Sequence, residues 1–366
     1  MGYDDGFLDK KLNERIEGNF LRRLTLSSGL IDFCSNDYLG IATNHLINNS
    51  FTGREAHGSK GARTLAGNYT LIEFTEAGIA QFHRAEAALI FNSGYNANTG
   101  LLSAVAQRGD VIYYDALSHA SIRDGVRLSF AESFSFRHND VNDLEEKLRS
   151  RNAFSGQIFV VTESVFSMDG DIAPISELIS VCMKYGAHLI VDEAHAIGVI
   201  GDNGEGVVQS LGRENEVFAR VYTYGKAPGC HGAAIAGSTK LKSYLINFSR
   251  SFVYTTALPE SAVKAISEAY SIFPVLKTER KHLSEMICLF QSADMGFEKL
   301  KSTTPVQGVI VPGNSEVKKL ATRLQENSLD VRPILYPSVP KGKERLRISI
   351  HSFNTKEQVK ALIGWL

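Results

Sequence analysis

Several side chains that can do chemistry follow short apolar runs of this 366-residue sequence. They are Lys226 after "ARVYTYG", Asp192 and His195 in "HLIVDEAH", His119 after "DVIYYD" and Glu163 at the end of "QIFVVTE". A lysine among small residues can approach a ligand closely, and partial burial favours the neutral amine that Schiff-base chemistry needs. A carboxylate after a buried run stays charged only beside a cationic or hydrogen-bonding partner. Each residue taken singly is more often structural, so their shared position after apolar runs is what favours a site.

A turn that suits a phosphate follows another apolar run, "AALIF". The next residues, "NSGYNANTG", place Gly94 and Tyr95 at the start of a helical pattern, where free backbone N–H groups can bind a phosphate. An ordinary helix cap is the alternative. An amine, a buried carboxylate, a flat group to cover a ring and a phosphate-binding turn are together what pyridoxal phosphate requires. A carboxylate at the ring nitrogen keeps that nitrogen protonated, so that the ring can accept electrons from a carbanion.

The order of the apolar runs predicts the fold that must position these residues. Short β-rich runs alternate with helical patterns, which indicates an α/β domain with a mostly parallel sheet. One of the helical patterns, "SELISVCMKYG" at 176–186, ends at a glycine stop signal. Ligands of such sheets bind beyond the carboxyl ends of the strands. The runs predicted as strands are 87–91, 110–115, 157–163, 188–194 and 219–225.

We expect three zones along the chain. Residues 1–35 form a charged N-terminal segment that begins with a helix, "LDKKLNERIEGNFLRRL". Residues 36–270 form the large domain. Residues 271–366 form a smaller C-terminal domain, with a helix in "VLKTERKHLSEMICLFQSA" and strands in "PVQGVIVP" and "RLRISI".

Composition argues against several classes of protein. The formal net charge is −1, whereas nucleic-acid and anionic-membrane binders usually have a basic excess. The four cysteines include no CxxC pair, so we expect reduced thiols, no structural metal site and a cytoplasmic protein. Neither an apolar signal core nor an apolar run of membrane-spanning length is present in the sequence, so we expect no membrane partner.

Six motifs resemble the α-oxoamine synthases. These are fold-type I pyridoxal-phosphate transferases, of the aspartate aminotransferase-like fold, that join an amino acid to an acyl thioester with loss of carbon dioxide. The resemblance implies a large, mostly parallel sheet domain, a smaller α+β C-terminal domain, and a homodimer with its active site at the interface. The motifs, in order along the chain, are "SNDYLG", "SGYNAN", "SHAS", "TESVFSMDGDIAPI", "DEAHAIGVIG" and "TYGKAPGCHGAA".

Two of these motifs, "SNDYLG" and "GKAPGCHGAA", most resemble the branch that condenses L-alanine with a pimeloyl thioester in biotin synthesis. The carrier of the thioester is coenzyme A or acyl carrier protein. Branches that use glycine or serine share the cofactor residues and remain alternatives, as does a non-condensing enzyme of the same fold. A catalytically inactive subunit is a further alternative, against which Lys226 and Asp192 argue.

The resemblance also implies a role for each matching residue around the cofactor ring. Lys226 bonds to the cofactor and moves the Cα proton of the amino acid. Asp192 pairs with the ring nitrogen, and His119 stacks on the ring face. His195 and Ser167 lie near the ring hydroxyl. Either His119 or His195 assists the attack on the thioester, so both are candidate catalytic residues.

The resemblance also implies which residues bind the phosphate. Backbone N–H groups of Gly94 and Tyr95 hold the phosphate together with the Thr223 hydroxyl, and Thr256 reaches the phosphate from the other subunit.

The implied substrate-binding residues are Asn36, Glu163, Arg347 for the amino-acid carboxylate, and Arg22 for the acyl thioester. A bidentate arginine suits a carboxylate. The chain departs from the family pattern at Lys60, Ala62 and Pro228, to which no role is assigned.

Overall fold

The computed structural model describes residues 3–26, 29–47, 56–151 and 155–366. Its strands, in chain order, are β1 (Ile31–Asp32), β2 (Ala87–Phe91), β3 (Val111–Asp115), β4 (Glu132–Phe136), β5 (Ile158–Glu163), β6 (His188–Asp192), β7 (Ala219–Thr223), β8 (Ala233–Gly237), β9 (Val306–Ile310), β10 (Leu329–Asp330), β11 (Arg332–Ile334) and β12 (Arg345–Ser349).

The helices follow the same numbering. They are α1 (Asp9–Glu17), α2 (Thr70–Phe82), α3 (Gly94–Val105), α4 (Ala120–Leu128), α5 (Val141–Arg149), α6 (Ile175–Tyr185), α7 (Val207–Ser210), α8 (Thr239–Phe248), α9 (Arg250–Val253), α10 (Glu260–Ile272), α11 (Lys277–Ser292), α12 (Asn314–Glu326) and α13 (Lys356–Ile363).

The chain divides into two compact units. The first comprises Met1–Ser35, Met168–Gly170 and His282–Leu366, and the second comprises Asn36–Ser167 and Asp171–Lys281. The division near the C-terminus lies within α11, whereas the sequence placed it after residue 270.

A seven-stranded sheet forms the centre of the second unit, in the order β2-β8-β7-β6-β5-β3-β4. The pairs from β7 to β4 are all parallel, and only β8 runs antiparallel to its neighbours among these strands. This arrangement confirms the predicted mostly parallel sheet. It brings the carboxyl ends of β3, β5, β6 and β7 to one edge, where the predicted site residues follow the strands.

The sheet is buried on both faces, which explains the continuous apolar runs. Alternate side chains of β5 enter opposite clusters: Val161 packs in the cluster that contains Leu101 of α3 and Ile122 of α4, while Val160 packs in the cluster that contains Leu178 of α6. Complete burial of one such side chain stabilises the fold by roughly 1.5–3 kcal/mol. Helix α6 ends as predicted at Gly186, which has the left-handed conformation with φ +65°.

The first unit is α+β, as predicted. Strands β11, β12 and β9 form an antiparallel sheet, and β1 pairs in parallel with β10. Thr355 and Gln358 form a capping box that begins α13. The N-terminal helix is shorter than predicted, because α1 ends at Glu17 before Gly18.

A buried ion cluster joins α2 to the segment before it. The Glu76 side chain is fully buried, and it accepts hydrogen bonds from Arg63 at 2.7 Å, from Lys242 at 2.8 Å and from the Ile90 backbone N–H at 2.9 Å. Such a carboxylate is stable in the core only because cations and an N–H group surround it. The ion pair with Glu76 therefore fixes the position of Arg63 in "HGSKGARTLAGN". Lys60, in the same segment, is exposed.

Candidate active site

A pocket of about 260 Å³ opens at the carboxyl edge of the seven-stranded sheet. Most of the predicted site residues line it, and all of the lining residues belong to the second unit. The predicted residues that line the pocket are Asn36, Gly94, Tyr95, His119, Glu163, Asp192, His195, Thr223 and Lys226.

Lys226 lies in a tight turn directly after β7. Its Nζ donates a hydrogen bond to Thr223 Oγ1 at 3.2 Å, and its carbonyl accepts from the Gly229 N–H at 2.8 Å. Gly229 has φ +67°, and a Cβ on it would come within 2.7 Å of Ile41, so a glycine is required there. The turn therefore holds the half-buried amine beside the last residue of β7.

Asp192 is the last residue of β6 and is 5% exposed. Its Oδ1 accepts from the Ala194 N–H at 2.9 Å, and its Oδ2 accepts from Asn98 Nδ2 at 2.7 Å. These two donors hold the carboxylate in one orientation and supply part of the hydrogen bonding that a buried carboxylate needs.

His119 is the N-cap residue of α4. Its Nδ1 accepts from the Ser121 backbone N–H at 3.2 Å, and Ser121 Oγ lies 2.8 Å from the same nitrogen. Partial withdrawal of the ring from water is the main cause that lowers the pKa of His119; the nearby Lys226 ammonium adds to the lowering, and Asp192 opposes it. His119 is therefore mostly a neutral imidazole at pH 7, and it lies on the wall of the pocket.

Glu163 is the last residue of β5, and burial raises its pKa to about 8, with a further contribution from the charge on Asp192. Its Oε1 accepts a hydrogen bond from the His119 backbone N–H at 2.6 Å. At neutral pH Glu163 is a protonated acid that anchors the backbone under His119. This contact places Glu163 beneath the His119 loop, with part of its side chain on the pocket wall.

The phosphate-type turn is built as a close fit between two elements. Ser93 caps α3 by accepting from the Asn96 N–H, and the N–H groups of Gly94 and Tyr95 have no acceptor within the helix by their position in its first turn. A Cβ on Gly94 would come within 2.4 Å of Thr223 Cγ2, so only glycine allows Thr223 to approach the helix end. Two backbone donors and the Thr223 side chain therefore lie together at the start of α3, an arrangement that suits a phosphate.

His195 is positioned by the segment that carries Asn36. The Tyr38 hydroxyl lies 2.7 Å from His195 Nδ1 and donates to Asn36 Oδ1 at 3.0 Å. Tyr38 is fully buried, so it fixes both residues relative to the pocket.

Four predicted site residues lie elsewhere in the described parts of the chain. Ser167 and Thr256 do not line the pocket of this chain, and Thr256 is exposed. Arg347 is a buried residue of β12 in the first unit, where its Nη1 donates to Ser349 Oγ at 3.0 Å. Arg22 lines a separate pocket of about 730 Å³ in the first unit, together with the cations of Arg15, Arg23, Lys318 and Arg332.

Sequence reasoning missed several residues of the site. Asn98, Ser121 and Tyr38 make the contacts that orient Asp192, His119 and His195, although all three lie inside motifs that were recognised. Their polarity within helical or buried segments was the available signal. His231 also lines the pocket.

The donor set fits pyridoxal phosphate. The pocket presents an amine, a hydrogen-bonded carboxylate, a neutral imidazole and a phosphate-type cradle that a single added Cβ would fill. Within the ranges that the structure describes, no cluster of three or more His, Cys, Asp or Glu side chains is arranged to hold a metal ion. Among the described helices, none combines the length and the apolar character needed to cross a bilayer.

The chain matches the family described as aminotransferase class I and II over residues 28–366. It is 37% identical over 362 residues to 8-amino-7-oxononanoate synthase from Lysinibacillus sphaericus, covering 98% of this chain and 93% of that protein.

Two solved structures are similar. One is 8-amino-7-oxononanoate synthase from Francisella tularensis, with a TM-score of 0.77, 28% identity, and 92% and 96% of the two chains covered. The other is serine palmitoyltransferase from S. paucimobilis with bound pyridoxal phosphate and myriocin, with a TM-score of 0.87, 26% identity, and 99% and 96% covered.

Proposed function

Because this chain belongs to the aminotransferase class I and II family, and within it to the α-oxoamine synthases, we propose that it joins L-alanine to a pimeloyl thioester. The products are 8-amino-7-oxononanoate, carbon dioxide and the free thiol, in a step of biotin synthesis. The observation that carries the proposal is that Lys226, Asp192 and Gly94 line one pocket in a chain so similar over its length to 8-amino-7-oxononanoate synthases.

The reaction makes one carbon–carbon bond and breaks three bonds, beginning with the Cα–H bond of alanine, whose proton passes to Lys226. The Cα of alanine bonds to the thioester carbonyl carbon, the carbon–sulfur bond breaks and the thiol leaves. The alanine carboxylate then leaves as carbon dioxide, and a proton takes its place. When bound, pyridoxal phosphate supplies the ring that accepts the electron pair from Cα.

One group of pocket residues is assigned to cofactor binding. The N–H groups of Gly94 and Tyr95 and the Thr223 hydroxyl bind the phosphate. Asp192, held by Asn98 and the Ala194 N–H, accepts a hydrogen bond from the ring nitrogen.

Proton transfer falls to Lys226. Its half-buried amine removes the Cα proton of alanine and returns a proton after loss of carbon dioxide. A positioned base of this kind contributes roughly 10² to 10⁴-fold to rate. Thr223, 3.2 Å from Nζ, keeps the amine at the pocket wall.

Roles in substrate binding are proposed for Asn36, Arg347 and Arg22. We assign the alanine carboxylate to Arg347 and the acyl thioester to Arg22, whose surroundings are cationic and apolar. A pocket with five cations and the side chains of Phe20 and Leu24 suits a ligand that is both anionic and apolar. Both coenzyme A and acyl carrier protein present phosphate and an acyl chain, so the thiol-release assay below compares the two carriers.

We also propose a homodimer. Thr256 is exposed, and its carbonyl accepts from Asn92 Nδ2 at 2.8 Å, which holds it at the surface of its own protomer. An exposed aromatic, Tyr254, lies beside it. In a dimer this segment reaches the phosphate of the partner. Analytical ultracentrifugation at micromolar concentration tests the assembly, and a monomer that retains full activity contradicts it.

A thiol-release assay tests the reaction. L-Alanine, glycine and L-serine are each combined with pimeloyl-, acetyl- and palmitoyl-coenzyme A and with pimeloyl acyl carrier protein, and products are identified by mass spectrometry. We expect kcat/KM to be highest with L-alanine and a pimeloyl thioester. Preference for serine with palmitoyl-coenzyme A indicates a serine palmitoyltransferase instead. Absence of thiol release with every pair indicates a non-condensing enzyme.

A further inference from the structure

Four side chains in the wall of the candidate active site are joined in one series of hydrogen bonds. Asn98 Nδ2 donates to Asp192 Oδ2 at 2.7 Å and to Ser121 Oγ at 3.0 Å, and Ser121 Oγ lies 2.8 Å from His119 Nδ1. Asn98 and Ser121 are 2% and 1% exposed, so bulk water does not compete for these contacts. The series connects the carboxylate assigned to the ring nitrogen with the imidazole assigned to the ring face.

The direction of every bond in this series can be assigned. An ionised Asp192 can only accept, so Asn98 must present its NH₂ group and not its carbonyl oxygen. The second N–H of that group then donates to Ser121 Oγ. One Ser121 lone pair is occupied in this way, and its hydroxyl hydrogen can point toward His119 Nδ1.

Two donors together determine the last bond. The Ser121 backbone N–H lies 3.2 Å from His119 Nδ1, and the Ser121 hydroxyl lies 2.8 Å from the same nitrogen. A proton on Nδ1 would face both donors, so Nδ1 is the acceptor, and loss of the hydroxyl leaves only the longer backbone contact to favour this tautomer. The single proton of the neutral ring is therefore on Nε2.

We propose that Asn98 and Ser121 are positioning residues that hold His119 as the neutral tautomer with its proton on Nε2. His119 then acts on the substrate only as a hydrogen-bond donor, because its one basic nitrogen is occupied by the helix cap. Of the two histidines expected to assist the attack on the thioester, His119 therefore does so by donating a hydrogen bond and not by accepting a proton. The inference rests on the proposed function for the identity of the reaction, but the tautomer itself does not depend on it.

Charged groups around His119 act in both directions. Asp192 and Asp124 favour a charged ring, while Lys226 and partial burial oppose it. Burial raises the pKa of Glu163, which accepts from the His119 backbone N–H, to about 8, so this acid is mostly uncharged at pH 7. The net lowering of the His119 pKa agrees with a ring that stays neutral at pH 7.

Histidine ¹⁵N NMR tests the inference directly. Protein labelled with ¹⁵N-histidine is measured at pH 7.5 with pyridoxal phosphate and again after its removal, and a His119→Gln spectrum identifies the His119 signals. We expect an unprotonated Nδ1 and a protonated Nε2 in both states. A proton on Nδ1, or on both nitrogens, overturns the proposal. Because the protein without cofactor is included, failure to bind pyridoxal phosphate or to form product contradicts the proposed function and leaves this result readable.

Variants test the two positioning residues. In Ser121→Ala the two ¹⁵N shifts of His119 should move toward each other as the second tautomer becomes populated, whereas Ser121→Thr, which keeps the hydroxyl, should match the wild type. Asn98→Leu should have the same effect and should also raise the Kd for pyridoxal phosphate roughly 10- to 100-fold, because a charged group loses one hydrogen bond. The control is Ser103→Ala, which removes a hydroxyl that donates to the Thr99 carbonyl on the same helix. Spectra and Kd unchanged in both Ser121→Ala and Asn98→Leu contradict the proposal.

Discussion

Glu163 and Asp192 lie opposite each other in register at the ends of two neighbouring parallel strands. Both carboxyl groups reach one pocket, and two negative charges so close together are unfavourable. Burial, and then the charge on Asp192, raises the pKa of Glu163 to about 8, while two donors hold Asp192. The pair therefore consists of one neutral acid that supports the His119 loop and one carboxylate that faces the ligand.

The raised pKa of Glu163 predicts how stability depends on pH. The folded protein keeps a proton on Glu163 up to about pH 8, whereas the unfolded chain releases it near the ordinary value of 4.5. Between these values Glu163 lowers the free energy of unfolding by about 1.4 kcal/mol per pH unit as pH rises. Glu163→Gln removes this dependence, so the stability of the variant relative to wild type should increase from pH 5 to pH 8.

Urea unfolding of both proteins at several pH values measures this difference. Glu177→Gln is the matched control, because Glu177 is an exposed glutamate of α6. A difference between wild type and Glu163→Gln that stays constant with pH shows that Glu163 is ionised in the folded protein.

His138 predicts the same trend at higher pH. Its Nδ1 and Nε2 lie 2.9 Å and 2.8 Å from Asp115 and Asp171, and although partial burial opposes the charge, these two carboxylates raise the His138 pKa to about 10. The charged His138 contributes its full stabilisation to the folded protein below pH 6.5, and this contribution is lost as pH rises through about 10. His138→Gln should therefore cost about 1–3 kcal/mol at pH 6, allowing for partial exposure, and less at pH 10.

Thermal unfolding at pH 6, 8 and 10 checks this trend, with the exposed His57→Gln as control. The ion cluster of His138, Asp115 and Asp171 also supports the loop before His119, because Asp115 accepts a hydrogen bond from the Leu117 N–H. None of these three residues lines the pocket. If the stability that His138→Gln loses relative to wild type grows as pH rises, His138 is not charged in the folded protein.

Gly94→Ala should weaken cofactor binding specifically. The new Cβ would meet Thr223 Cγ2 at 2.4 Å, so Thr223 must move away from the helix end, and overpacking of this kind costs roughly 1–3 kcal/mol. We expect the Kd for pyridoxal phosphate to rise at least tenfold in a fluorescence titration. Gly78→Ala is the control, since nothing lies within 4 Å of that site on α2, and it should leave the Kd unchanged. Equal Kd values for the two variants contradict the assigned cradle.

The sequence predicted those strands whose signal is local. Strand β2 was predicted at 87–91 and is found at Ala87–Phe91, because a strand buried on both faces reads as an apolar run. Strand β8 was missed, since "AAIAG" lacks β-branched bulk apart from one isoleucine and becomes a strand only by pairing between β2 and β7. Strand β4 was missed because four of its five side chains are exposed and only Phe136 is buried, which gives no core pattern.

Site residues, like strands, could be predicted only where their signal is local in the sequence. Lys226, Asp192 and His119 were predicted because their positions after strands are visible in the sequence. Asn98 and Ser121 depend on α3 and α4 packing side by side, a contact between elements that no spacing along the chain encodes. The roles of Ser167 and Thr256 remain proposals, because neither side chain lines the pocket of this chain.

The central claim is that Lys226 holds pyridoxal phosphate covalently in this pocket. Reduction of the purified protein with sodium borohydride fixes such a link, and peptide mass spectrometry then locates it. We expect the cofactor mass on the peptide that contains Lys226, loss of the visible absorbance on reduction, and neither label nor turnover in Lys226→Ala. A label on a different lysine, or a coloured and active Lys226→Ala protein, contradicts the account.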